Sequence, residues 1–306
     1  MIDEKKFKRC KDDIIKLKKE ISKVVIGQSK VVNGLIRATL SNGHVLVEGI
    51  PGIAKTLVIK ALATASGCKF NRIQFTVDLL PSDIVGVTGY EKERGFFIVR
   101  GPIFTNFMLA DEINRAPPKA QSALLEAMQE RQATIGKETI PMPLPFLVMA
   151  TINPIETSGT YTLPEAQIDR FLFKLHMSYP KKEEEKLIIE KNISLKKFEN
   201  YKILPILNPD RIIEMQELVK EIGHTDKIKD YITDIVEATR KHKKYNIKLG
   251  EFIEWGSSPR ACIGLFIAAK AEALMNGETF ITPQHIKDVA HDVMRHRIIL
   301  NYKGQA

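Results

Sequence analysis

The sequence predicts an α/β fold, with a core built on a mostly parallel sheet over residues 1–178 and a smaller all-helical domain over 179–306. Up to residue 178, short apolar runs of strand length alternate with segments of helical period, as in a sheet whose strands are joined by helical crossovers. After "YPKKEEEK" (179–186) the strand signals stop, and amphipathic helices follow at 184–192, 208–222, 226–244, 258–275 and 283–295. The 306 residues exceed one typical domain of roughly 100–200, which suits a large core with a smaller companion.

Phe7, Ile14, Ile15, Leu17, Ile21 and Val24 repeat at helical spacing over 3–25, and a second helix starts after Gly27 in "VIGQSKVVNGLIRATLSNG". "HVLVEG" (44–49) is almost continuously apolar, which suits a parallel strand buried on both faces. A helix follows at 56–66, then strand candidates at 70–75 and 106–112, a helix at 117–131, and strands at 144–154 and 170–177. Between 85 and 105, two extended runs flank a glycine turn and read as an inserted hairpin. No internal repeat or low-complexity tract is present, which excludes solenoids and arrays.

Hydrophobic residues at 44% and charged residues at 27% describe an ordinary folded chain. The net charge of +9 comes from 46 basic and 37 acidic residues that are mostly interspersed, so it reads as solvated helix faces and not as a nucleic-acid footprint. Cys10, Cys68 and Cys262 fit neither a disulfide framework nor a zinc site. With no apolar signal core and no uncharged span of membrane length, a reducing, cytoplasmic location is expected. His291 and His296 are five apart, off the spacing of a metal pair, and are expected to be solvated or to face a partner.

Chemistry enters at "GIPGIAKT" (49–56), which departs from the phosphate-binding formula G-x-x-x-x-G-K-[ST] only at Ala54. A polyphosphate needs backbone N–H groups free of side-chain bulk, and a glycine-rich turn opening a helix supplies them. The candidate nucleotide-binding residues are Gly49, Ile50, Pro51, Gly52, Ile53, Ala54, Lys55, Thr56 and Leu57. Lys55 would reach the β- and γ-phosphates, and the Thr56 hydroxyl would ligate Mg²⁺. If Ala54 must adopt positive φ, the methyl group costs about 1–2 kcal/mol. Taken alone, the octapeptide is equally a Gly/Pro turn between a strand and a helix.

Downstream, "NFMLADE" ends an apolar strand in Asp111-Glu112, at the edge of an open α/β sheet where ligands bind. Asp111 there can hold Mg²⁺ and Glu112 can orient a water for attack. Asn153 ends another buried strand and can hydrogen-bond a γ-phosphate or the water, although Asn before Pro is also a good turn former. Arg170 and Arg260 offer positive charge for a phosphoryl transition state. Arg260 opens a helix of the second domain, from which it is expected to reach back to a nucleotide held between the domains. Surface salt bridges are the plainer reading of both arginines.

Together, "VIGQ", "GIPGIAKT", "RIQF…DLLPSDIVG", "GPIF…LADEINRAPPKAQSALLEAMQE", "ATINPIETSGTYTLPEAQIDRF" and "SPRA" resemble the MoxR family of AAA+ ATPases over about residues 20–300. In that family the sixth P-loop residue is commonly alanine. The resemblance implies that Lys55 and Thr56 are Walker A, Asp111 binds Mg²⁺, Glu112 activates water, Asn153 is sensor 1 and Arg260 is sensor 2. It implies that Arg170 is an arginine finger acting on ATP in a neighbouring subunit of a homo-oligomeric ring, usually a hexamer. The 85–105 hairpin matches the helix-2 insert, facing the pore or a partner. Val77 departs from the proline frequent in "QFTPDLLPSD".

The resemblance further implies ATP hydrolysis that remodels or matures a protein client, with metal insertion as one form of it. Such family members commonly work beside a protein containing a von Willebrand factor A domain. A nucleic-acid-dependent AAA+ motor is the alternative on the same fold. A nucleotide-gated module without turnover is opposed by the presence of Glu112.

Overall fold

The computed structural model describes residues 4–93, 95–155, 159–191 and 198–305. Residue 94 of the expected hairpin segment, residues 156–158 after Asn153, and the expected helix's last residue, 192, lie outside them.

Helices α1 (Glu4–Ile21) and α2 (Ser29–Leu40) precede the sheet, as their apolar spacing predicts. The chain then enters β1 (Val45–Gly49), α3 (Lys55–Ala65) and β2 (Phe70–Gln74). A short α4 (Pro81–Val85) leads into the hairpin of β3 (Gly86–Glu91) and β4 (Gly95–Arg100), so the inserted hairpin forms where the glycine turn predicts it. Next come β5 (Phe107–Asp111) and α5 (Pro118–Glu130), followed by a second antiparallel hairpin of β6 (Gln132–Ile135) and β7 (Glu138–Pro141). The second hairpin was not expected. It turns on Gly136-Lys137, and Gly136 takes φ 62°, a conformation that glycine adopts without penalty. The core closes with β8 (Leu147–Ile152), a single turn α6 (Glu165–Ile168) and β9 (Phe173–Met177).

Five strands form one sheet in the order β2-β5-β8-β1-β9, and every pair in it is parallel. Strand β5 is buried along its whole length and β8 along all but its last residue, as apolar runs require in a sheet covered on both faces. Because the strands are parallel, the carboxyl ends of β1, β5 and β8 share one edge of the sheet.

The helical region comprises α7 (Lys182–Lys191), α8 (Pro209–Glu221), α9 (Asp226–Arg240), α10 (Pro259–Asn276), α11 (Pro283–Met294) and a terminal α12 (Tyr302–Gln305). It is not wholly helical: β10 (Ile253–Trp255) pairs antiparallel with β11 (Ile299–Leu300). Strands of three and two residues are too short to leave an alternating pattern.

Two apolar clusters cover the sheet. Phe75, Ile84, Leu124, Leu125 and Phe171 pack on one face beside α4 and α5. On the other, Leu35, Ile59 and Phe173 share a cluster with Met215, Leu265 and Val293 of the helical region. The change from sheet to helices near residue 179 is therefore not a break in the core. His296 lies in this packed region, not in solvent. It is 9% exposed, its Nε2 is 3.0 Å from the Phe171 carbonyl, and burial pushes its pKa down to about 3. His291 is exposed, as expected.

Arg37 of α2 ties the two regions together. Its guanidinium meets Glu272 of α10 at 2.6 Å and Asp292 of α11 at 3.4 Å, with only 8% of its side chain exposed. Removing one partner of a buried ionic group strands the others, at about 3–5 kcal/mol. Arg37→Met should lower stability by about 3 kcal/mol in thermal or denaturant unfolding. A loss below about 1 kcal/mol would show that the carboxylates are solvated instead.

Candidate active site

The P-loop runs from the buried end of β1 into the first turn of α3. A Cβ on Gly49 would meet Ile53 Cδ1 at 2.7 Å and the Met177 carbonyl at 3.0 Å, so the tight turn leaves no room for a side chain there. Gly52 holds φ 81°. Ala54 caps α3 at φ 67°, ψ 28°, in the left-handed region, so the strain anticipated for the alanine is present. Lys55 donates to the Gly49 carbonyl at 2.7 Å, folding its ammonium over the loop. Thr56 stands on the first turn of α3, where N–H groups lack intrahelical partners.

Beside this loop, Val25, Ile26 and Gln28 from the α1–α2 connection face Tyr179 and Ile189 across a cavity of about 450 Å³ that includes Gly52 and Leu57. Gln28 fixes one wall by donating to the Ser178 carbonyl at 2.9 Å. The cavity is apolar and of a size for a nucleobase and sugar.

The parallel sheet brings Asp111 and Glu112, at the end of β5, to the same edge as the P-loop. A buried hydroxyl that the sequence reading missed organises both. Thr151 of β8 donates to Asp111 Oδ1 at 2.7 Å and accepts the Glu112 N–H at 2.8 Å. It is fully buried, and a polar residue inside "LVMATI" was the available signal, because a buried hydroxyl must find partners. Glu112 itself adopts φ 57°, ψ 51°, an unusual conformation for a residue with a side chain. Asp111 Oδ2 accepts from Arg72 at 2.6 Å, and Glu112 Oε2 accepts from Gln74 at 2.8 Å and Arg115 at 3.1 Å. Arg72 and Gln74 both come from β2, the edge strand beside β5. Asn153 follows β8, is 5% exposed, and accepts the Ile155 N–H through Oδ1 at 3.2 Å.

Arg170 and Arg260 lie elsewhere. Leu172 N–H donates to the His44 carbonyl at 2.9 Å and Phe173 pairs with Val45, so the segment before β9 sits at the amino edge of the sheet. Strand β1 separates that edge from the P-loop by about 16 Å. Arg260, behind the Ser258 cap of α10, pairs with Asp169 at 3.3 Å and lines the same cleft as Arg170. Arg260 thus stands beside Arg170 at the amino edge of the sheet, away from the edge that carries the P-loop. Packing of the helical region against α2 and β9 holds it at the opposite edge.

A model of the AAA family, ATPases associated with various cellular activities, matches residues 44–173, and an AAA lid domain model matches 250–306. The chain is 44% identical over 290 residues to Chaperone MoxR1 of Mycobacterium tuberculosis, covering 94% of this chain and 76% of that protein. It belongs to the MoxR family of AAA+ ATPases. The uncharacterized protein YeaC of Bacillus subtilis is 43% identical, with 92% of this chain and 85% of YeaC covered. A crystal structure of a candidate ATPase from Cytophaga hutchinsonii superposes with a TM-score of 0.92 at 43% identity, covering 99% of this chain and 92% of that one. A MoxR-family chain with this sheet and loop is a chaperone-like ATPase that hydrolyses ATP. Among the described residues, no helix is long and apolar enough to cross a membrane.

The left-handed Ala54 gives this MoxR-family P-loop a measurable signature. Ala54→Gly removes about 1–2 kcal/mol of strain and returns about 0.4–1 kcal/mol to the unfolded chain's freedom. The nucleotide-free protein should gain about 0.5–1 kcal/mol in thermal unfolding. A loss of stability would mean that the loop does not hold positive φ at this position.

Proposed function

We propose that the protein is a ring-forming ATPase, a hexamer by family resemblance, in which ATP turnover remodels or matures a partner protein complex. The reading rests on one observation: the groups for binding and water activation occupy one edge of the sheet, and the two arginines occupy the other. A head-to-tail contact would bring the second set to a neighbour's first, and such contacts close into a ring where the rotation between neighbours closes.

In this reading the P-loop N–H groups and Lys55 bind the triphosphate of ATP. Glu112, with its backbone pinned by Thr151, takes the proton of the attacking water, and Asn153 orients that water. Arg170 and Arg260 of the adjacent subunit carry the charge that develops on the transferred phosphoryl group. Gln74 and Arg115 hold the Glu112 carboxylate through Oε2, and the carboxylate keeps lone pairs with which to meet water.

The donor set suits Mg²⁺. Thr56 and Asp111 offer only oxygen, as a hard cation prefers, and a carboxylate with two hydrogen-bonded oxygens retains lone pairs for a further contact. When bound, Mg²⁺ neutralises charge on the β- and γ-phosphates.

The client is proposed to be a protein, handled together with a von Willebrand factor A domain adaptor and including metal insertion among its outcomes. The name Chaperone MoxR1 supports a protein client over nucleic acid.

Glu112→Gln should retain ATP binding while phosphate release falls by roughly 100-fold or more. Unchanged release would remove Glu112 from the role of base. The same variant, held in its ATP state, should retain the adaptor and client on co-purification, and recovery of nucleic acid instead would favour the other motor class.

A further inference from the structure

At the amino edge, one buried arginine outside the sites described so far grips the segment that carries Arg170. Arg297 follows α11, and only 3% of its side chain is exposed. Its Nε donates to Asp169 Oδ1 at 2.7 Å. One terminal nitrogen donates to the Asp169 carbonyl at 3.2 Å and the Phe171 carbonyl at 2.8 Å. The other donates to the Leu172 carbonyl at 3.2 Å and to the Val293 carbonyl. All five N–H groups of the guanidinium are thereby used, four of them on residues 169–172. Lysine, with three donors on a single nitrogen, cannot reproduce that fork.

Asp169 is the second half of the clamp. Its Oδ2 accepts from Ser258 Oγ at 3.1 Å and from Arg260 at 3.3 Å, while Oδ1 holds Arg297. Three groups of the helical region thus converge on the residue preceding Arg170. Leu172 N–H, bonded to the His44 carbonyl, anchors the other end of the segment to the sheet. The Arg170 side chain between these anchors is exposed.

We infer that Arg297, acting through Asp169, is a positioning residue for the neighbouring subunit's active site: it fixes where Arg170 stands. This rests on the reading that Arg170 acts across the subunit interface. Because the clamp's anchors lie at the start of α10 and just after α11, a shift of those helices against the sheet displaces the Arg170 backbone with them.

Mixed assemblies test the inference. Lys55→Ala subunits cannot use their own nucleotide site but can lend Arg170, while Arg170→Ala subunits bind ATP but lend no Arg170. Neither should hydrolyse ATP alone, and their mixture should. Arg297→Lys placed in the Lys55→Ala subunit should lower the restored kcat roughly 10- to 100-fold, with the KM for ATP unchanged. Placed in the Arg170→Ala subunit, it should change the rate by less than about twofold, because that subunit's arginine segment serves no active site. Asp169→Asn should show the same asymmetry. Equal losses in both placements would mark Arg297 as merely structural and overturn the proposal, and so would no loss in either. Absence of turnover in the parent mixture, with the unmutated protein active, would instead remove the cross-interface reading of Arg170 and the proposal with it.

Discussion

A parallel sheet has two unlike edges, and the residues of the proposed chemistry are divided between them. Every pair in the five-stranded sheet runs the same way, so the P-loop, Asp111-Glu112 and Asn153 leave from one edge while the Arg170 segment enters at the other. About 16 Å of strand separates the two sets. No side-chain rearrangement within one subunit can close that gap. In the proposed reading a single copy carries a complete set of parts but not a complete site, and strand direction is what calls for a second copy.

Within each edge, precision comes from strained or buried groups held by polar partners. Ala54 and Glu112 both sit in the left-handed region, where a side chain is normally disfavoured. Thr151 makes the Glu112 geometry affordable by accepting its N–H while donating to Asp111. Burial strengthens this chain of hydrogen bonds and makes any unpaired member costly, so the three residues behave as one unit. The opposite edge repeats the device with charge: Arg297 and Asp169 pin the backbone on either side of the exposed Arg170.

Much of this was legible in the sequence, for physical reasons that differ from element to element. Strands buried on both faces leave nearly continuous apolar runs, so β1 and β5 could be placed within a few residues. The phosphate loop and the acidic end of β5 are local in sequence, and their order along the chain implied their proximity. What escaped was set by contacts between distant segments. Arg72 and Gln74 meet Asp111 and Glu112 only because β2 pairs with β5. The place of Arg260 at the amino edge is not legible, because nothing in "SPRA" states which face of the core the helical region covers. That choice is made by apolar packing against α2 and β9, and by the buried pairing of Arg37 with Glu272 and Asp292. His296 gave no sign of burial, since its partner is a backbone carbonyl supplied by Phe171.

The division of the active site between two subunits is tested most directly by the ATPase rate per subunit as protein concentration is varied, with assembly state followed by sedimentation. The rate per subunit should climb as monomers assemble and approach zero where only monomer remains. A dilute monomer that turns over ATP as fast as the assembled protein would contradict the account.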